Sequence, residues 1–181
     1  MGQPFRLDPK TIALWHCDEG AGPILGDSSK SGWNGELDSG VTWDDGQSGF
    51  GKCLVLPGTV STGVTIPKAK AYTWSKEKGF TLEAWVNLDS DTAADSQLVH
   101  ITGVMVLQAD NTGGNLTFKV ISYSGGQAPL LADQPWRTDT NNISSTAGEW
   151  HYLAATYDND SSLLKIYLDG VLKDTKTASV L

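Results

Sequence analysis

The strongest constraint on this chain is its punctuation. Short runs rich in Val, Ile, Leu, Thr, Phe, Tyr and Trp recur along it, and most are closed by Gly, Asn, Asp, Ser or Pro. The runs at 12–17, 53–56, 63–66, 80–88, 97–102, 105–108, 116–122, 150–157 and 163–168 read as β-strands. A helix needs a longer stretch of 3.6-residue periodicity, and the one such pattern, at 71–78, is weak. NTGGN at 111–115, SGGQ at 124–127 and DNDS at 158–161 read as hairpin loops, because these residue types accept positive φ or bond their own backbone. Asp169-Gly170 is a strong hairpin turn signal of the same kind. In 163–168, Leu164, Ile166 and Leu168 alternate with Leu163, Lys165 and Tyr167, so one face of that strand goes to a core. WHYLAATY at 150–157 is apolar on both phases, as expected of a central strand. Many short strands without intervening helices point to an all-β fold, a sandwich of two antiparallel sheets.

At 181 residues, with no linker, repeat or low-complexity stretch, the chain reads as one domain, 1–181. Thirteen Lys and Arg against 21 Asp and Glu leave a formal charge of −8. Without a basic cluster the counterion-release term behind most nucleic-acid binding is missing, so nucleic acid and anionic membrane surfaces are excluded as partners. No apolar run approaches the roughly 18–20 residues that cross a bilayer, and membrane insertion is not expected. Two cysteines, Cys17 and Cys53, are too few for a stapled scaffold and not spaced for zinc. They read either as small buried thiols or as a disulfide pair.

Three motifs in register add a family likeness. FTLEAWV at 80–86, EWHYLAATYD at 149–158 and LKIYLDG at 164–170 together resemble the laminin G-like branch of the concanavalin A-like lectin and glucanase jelly rolls. ALWHCDEG at 13–20, Asp27-Ser28-Ser29, Asn34-Gly35, Thr42-Trp43 and GFGKCLVLPG at 49–58 are similar to that family's opening strand, loop, turn and second core strand. The likeness runs from about residue 11 to about residue 175 and leaves 1–10 as a flanking segment. It implies a concanavalin A-like jelly roll. It also implies closing strands that 171–181 do not match, and hence a domain continuing beyond residue 181 within a longer parent protein.

Relatives on this fold include glycoside hydrolases, which need two carboxylates about 5–5.5 Å apart when they retain configuration. Glu83 stands alone in its strand, so a non-catalytic module is the first reading and a hydrolase the last. His16, His100 and His151 lie on separate predicted strands without metal-ligand spacing, and no Gly-x-Ser-x-Gly elbow occurs. The resemblance implies calcium as the candidate cofactor, with Asp27, Asp18 and Glu19 offering hard oxygen ligands. Asp27 equally suits an Asx-turn that accepts backbone N–H bonds. Sugar recognition calls for exposed aromatics beside polar groups. Trp15, Trp85 and Trp150 fall in predicted strands and read as core, whereas Trp33, Trp43, Trp74 and Trp136 fall in loops. Trp43 reads as a rim seal. Trp136, in the long loop 125–146 with Arg137, Asp139 and Asn141, is the first candidate, and Trp33 accompanies it. The reading is therefore a binding module of a larger extracellular or cell-surface protein, recognising a glycan through rim loops. The alternative is a structural or adhesive module with an extracellular protein ligand, and other domains of the parent chain are expected partners in either case.

Overall fold

Apart from 12–17, the short, β-branched and aromatic runs form strands. In the computed structural model, which describes residues 5–58, 62–67, 78–89, 96–101, 104–112, 115–123, 137–139 and 142–178, every extended element pairs antiparallel. The helical pattern at 71–78 falls almost entirely outside the described residues, as does the SGGQ loop. Among the described residues no helix is long and apolar enough to cross a membrane. The chain divides into two compact units, Met1–Tyr72 and Thr73–Leu181.

The amino-terminal unit is built from β1 (Ile24–Leu25), β2 (Gly35–Leu37), β3 (Thr42–Asp45), β4 (Lys52–Val55) and β5 (Val64–Thr65). These make a three-stranded sheet in the order β1-β2-β5 and a β3-β4 ribbon. Gly35 is required at its position: a Cβ there would lie 2.5 Å from Val64 Cγ1 and 2.8 Å from Ile66 Cδ1. The strand expected at 12–17 does not form. Among the described residues its one ladder contact is an isolated bridge, Trp15 to Asp27. Cys17 takes φ 58°, which breaks an extended run, and Asp27 offers the Leu14 N–H a side-chain acceptor in place of a ladder.

The carboxy-terminal unit contains β6 (Gly79–Asn87), β7 (Ser96–Ile101), β8 (Met105–Thr112), β9 (Asn115–Tyr123), β10 (Arg137–Asp139), β11 (Ile143–Ser144), β12 (Trp150–Asp158), β13 (Leu163–Leu168) and β14 (Val171–Thr177). One sheet runs β14-β13-β12-β6, and the other runs β10-β9-β8-β7 with β11 paired to β9. Period-2 alternation sends Leu153, Ala155 and Tyr157 of β12 and Leu164, Ile166 and Leu168 of β13 to the same side. There they meet Met105, Leu107, Ala109 and Phe118 of the other sheet in one buried cluster. Burying a Leu, Ile or Phe side chain fully stabilises by about 1.5–3 kcal/mol, so this shared layer holds the two sheets as a sandwich.

The apolar double phase of 150–157 is explained by position, since β12 lies between β6 and β13. At the Asp169-Gly170 turn both residues take positive φ, 53° and 78°, with Leu168 facing Val171, which is the type I′ geometry that this dipeptide favours. The sequence reading did not extend a strand past this turn, yet β14 follows it. Between Ile166 and Tyr167 the β13–β14 register slips: Ile166 faces Asp174 and Tyr167 faces Leu172, leaving Lys173 as the extra residue of a bulge.

A candidate recognition face on the four-stranded sheet

Alternation that fills the core also fixes what the opposite face carries. On β6 the residues turned away from the core are Thr81, Glu83 and Trp85; on β12 they are Tyr152, Ala154 and Thr156; on β13 they include Lys165 and Tyr167. The ladder aligns them in rows. Trp85 faces Tyr152, Glu83 faces Ala154 with Tyr167 on its other side, and Thr81 faces Thr156, which neighbours Lys165. Ala154 is thus the smallest side chain of the group and sits at its centre. Glu83 and Tyr167 stand about 5 Å to either side, and Tyr152 and Thr156 about 7 Å along the strand. A short side chain ringed by longer ones leaves a hollow. An open depression of about 240 Å³ is found there, lined by Thr81, Glu83, Tyr152, Ala154, Thr156, Tyr167 and Gly170.

Its polar centre is a hydrogen-bonded pair. Burial, then the negative charge of Glu83 and the hydrogen bond to it, push the Tyr152 phenol up to about 12. The phenol therefore stays protonated at neutral pH and donates to the Glu83 carboxylate, fixing its orientation. Glu83 is exposed, so acceptor positions beyond the one taken by Tyr152 face solvent. Trp85 packs beside Tyr152 with ring centroids 5.6 Å apart and tilted by 41°. The backbone end of this row is also held: Asp169 Oδ1 accepts the Tyr152 N–H at 2.9 Å, while Oδ2 lies 2.9 Å from His151 Nδ1. The turn that closes β13–β14 thereby fixes the strand that carries the hollow.

None of these residues was singled out by sequence as a site, and Trp85 was expected in the core. It is half-buried on the opposite face, because its phase is that of Glu83 and not of Leu82 and Val86. The signal was present in the alternation of FTLEAWV and LKIYL, which groups Glu83 with Trp85 and Lys165 with Tyr167. Sequence could not give the register that lays these strands side by side.

Trp136 and Asn141 lie outside the described residues, and Arg137 and Asp139 fall on β10, paired with Tyr123 and Ile121 of β9. Trp33 is half-buried in the amino-terminal unit, where its carbonyl accepts the Trp15 indole N–H at 2.8 Å. Trp43, expected in a loop, lies on β3, and its indole N–H donates to the Gly22 carbonyl at 3.0 Å.

Asp27 is a hub. Oδ1 accepts the N–H groups of Leu14 at 2.9 Å and Ser29 at 2.8 Å, and Oδ2 accepts that of Trp33 at 2.8 Å, with the Ser29 hydroxyl also at 2.8 Å. Burial pushes its carboxyl up, but the three backbone N–H bonds and the Ser29 hydroxyl outweigh it and hold it below the usual range. Glu19 bonds the Gly26 N–H at 2.6 Å. Asp27 thus makes the bonds of an Asx-turn, and among the described residues no group of three or more His, Cys, Asp or Glu side chains is arranged to hold an ion. Of the three histidines, His100 lies on β7 and His151 on β12, whereas His16 falls in the irregular segment and not on a strand.

A family model described as Concanavalin A-like lectin/glucanases superfamily matches residues 57–180. That span contains the whole sandwich of the carboxy-terminal unit. No curated protein matches the chain. Among solved structures, a Bacteroides ovatus protein described as carbohydrate binding is 23% identical with a TM-score of 0.40, over 56% of this chain and 26% of its own length.

Proposed function

Because the chain belongs to the concanavalin A-like lectin/glucanases superfamily, we propose that it is a non-catalytic carbohydrate-recognition module that seats a glycan on the outer face of the four-stranded sheet. The observation that carries this reading is the hollow over Ala154, with a fixed carboxylate, a protonated phenol, two threonines and a second tyrosine around it. Sugar rings present hydroxyls at their edges and C–H groups on their faces. Glu83 accepts from hydroxyls, while Tyr152 and Tyr167 give flat apolar surface with a polar tip. Among the described residues lining the hollow Glu83 is the one carboxylate, whereas hydrolysis by the usual route takes two. This favours binding over cleavage. A place in a larger extracellular or cell-surface protein is part of the same proposal and rests on the laminin G-like motifs.

The test is a glycan array followed by calorimetry on the parent chain and on Glu83→Gln, Tyr167→Ala and Trp136→Ala. Binding that falls at least tenfold in the first two and is kept in the third supports the site on the sheet. Loss confined to Trp136→Ala moves recognition to the loop at 125–146. Retention of no glycan by the parent ends the carbohydrate reading, and release of new reducing ends on long incubation ends the non-catalytic one.

A further inference from the structure

The hollow over Ala154 carries charge of one sign. Among the described residues lining it Glu83 is the ionised group, and none is a cation. The lysines on the neighbouring strands answer other carboxylates: the charge of Lys165, which faces Thr156, acts on Asp158, and that of Lys173 acts on Asp169 in the turn. Glu83 itself is exposed, and the Tyr152 phenol that holds it occupies one acceptor position without bringing a charge. Neutralising the carboxylate is left to a ligand. The register also sets aromatic residues around it. Tyr167 stands across Ala154 in the same row and Tyr152 two residues along β12, and both line the hollow beside Glu83. Aromatic faces next to a carboxylate favour a cation over a neutral donor. Thr81 and Thr156 add hydroxyls, each a donor and an acceptor, in the row on the side away from Tyr152.

Resting on the carbohydrate reading, we infer that the hollow selects an amino sugar, whose protonated amine meets Glu83 while its ring hydroxyls meet Thr81 and Thr156. The amine donates to the carboxylate positions that Tyr152 leaves free, and it lies between the two tyrosines. A neutral sugar brings only a hydroxyl to the same carboxylate and leaves its charge uncompensated. An N-acetylated sugar offers an amide N–H, again without charge. A uronic acid adds a second negative charge to a wall with no cation among its described residues, on a chain whose formal charge is −8. The order of affinity is therefore amino form first, hydroxy and acetamido forms next, and acid form last. Hydrogen bonds to charged groups outweigh neutral ones enough to separate the first two steps by about tenfold or more.

The test is an array of glucose- and galactose-series disaccharides, each in its 2-hydroxy, 2-acetamido, 2-amino and uronic acid forms. It is read at about pH 6, where an amine of ordinary basicity is protonated, and followed by calorimetry on the parent chain, Glu83→Gln and Glu83→Asp. Disaccharides keep the probe from acting as a polycation. The 2-amino form should bind the parent about tenfold or more tighter than its 2-hydroxy partner, with the acid form weakest. Glu83→Gln should erase that preference at an unchanged Tm, and Glu83→Asp, which keeps the charge on a shorter arm, should retain part of it. Equal affinity of the parent for the amino and hydroxy forms would overturn the amino-sugar inference and leave the carbohydrate reading standing. A preference that survives in Glu83→Gln would overturn it as well, since it would then come from the net charge of the chain and not from the hollow. So would displacement of the amino disaccharide by an equal concentration of tetramethylammonium, which would mean that the hollow reads a bare cation. Retention of no disaccharide in any form would remove the inference together with the reading on which it rests.

Discussion

The two units of this chain solve the same problem by opposite means. In the carboxy-terminal unit long ladders pair nine-residue strands, and Phe118, Leu107, Leu153, Leu164 and Ile166 are wholly buried between the sheets. In the amino-terminal unit the ladders are two to four residues long, and Leu14 and Leu25 are the apolar residues that reach comparable burial among those described. There a single carboxylate, Asp27, gathers three backbone N–H groups from three places in the sequence. One unit is held by area and the other by directed hydrogen bonds. The contrast shows how a segment with little apolar surface keeps a defined path, provided that a charged acceptor satisfies backbone groups that no strand partner reaches.

Substitutions can break this contrast, starting with the largest effect. Phe118→Ala empties the middle of the buried cluster and should destabilise the carboxy-terminal unit by about 3–5 kcal/mol, read by urea denaturation. Asp27→Ala leaves three N–H groups without their acceptor and should cost about 2–3 kcal/mol, read through the fluorescence of Trp15 and Trp33 as an earlier transition in the amino-terminal unit. If Asp27→Ala were as mild as an ordinary surface change, the hub account would be wrong. The same carboxylate gives a pH signature. Its folded pKa lies below its unfolded value, so its stabilisation is complete above about pH 4 and is lost as pH falls through the folded value. Acid unfolding should therefore reach the amino-terminal unit sooner in the parent than in Asp27→Asn, measured relative to each protein's neutral-pH stability.

Gly170→Val forces a β-branched residue to φ 78° in the type I′ turn and should cost about 1–2 kcal/mol, with β13–β14 amides losing hydrogen-exchange protection first. The smallest effect belongs to Lys52→Ala. Its 2.6 Å ion pair with Asp45 is exposed, and screening by solvent should leave the Tm unchanged within error. A sizeable loss there would mean that exposed charge does more in this unit than hydrogen-bond direction.

Legibility in the sequence followed the same divide. Where side chains alternate over six residues, as in LLKIYL, the pattern gave strand, phase and core face together, and Leu164, Ile166 and Leu168 lie where their spacing puts them. Where the structure depends on one side chain reaching distant backbone, local pattern misled. ALWHCDEG has the composition of a strand, yet it pairs through Asp27, which lies ten or more residues on. The hollow was illegible for another reason. Glu83, Ala154 and Tyr167 are neighbours only through the registers β6–β12 and β12–β13, and a search for loop aromatics passes over a site whose centre is an alanine.

The extra residue at Lys173 has a consequence for how the molecule behaves among copies of itself. Among the described residues β14 is the last strand in its sheet order, and its outer backbone groups form a template onto which another extended chain could align. A regular strand would present that template in step over its whole length. The bulge puts it out of step midway and increases the local twist, and Lys173, Asp174 and Lys176 place charge along the same border. A newly made chain can therefore expose Val171 and Leu172 at this edge while offering a neighbour no more than a few residues of matched pairing.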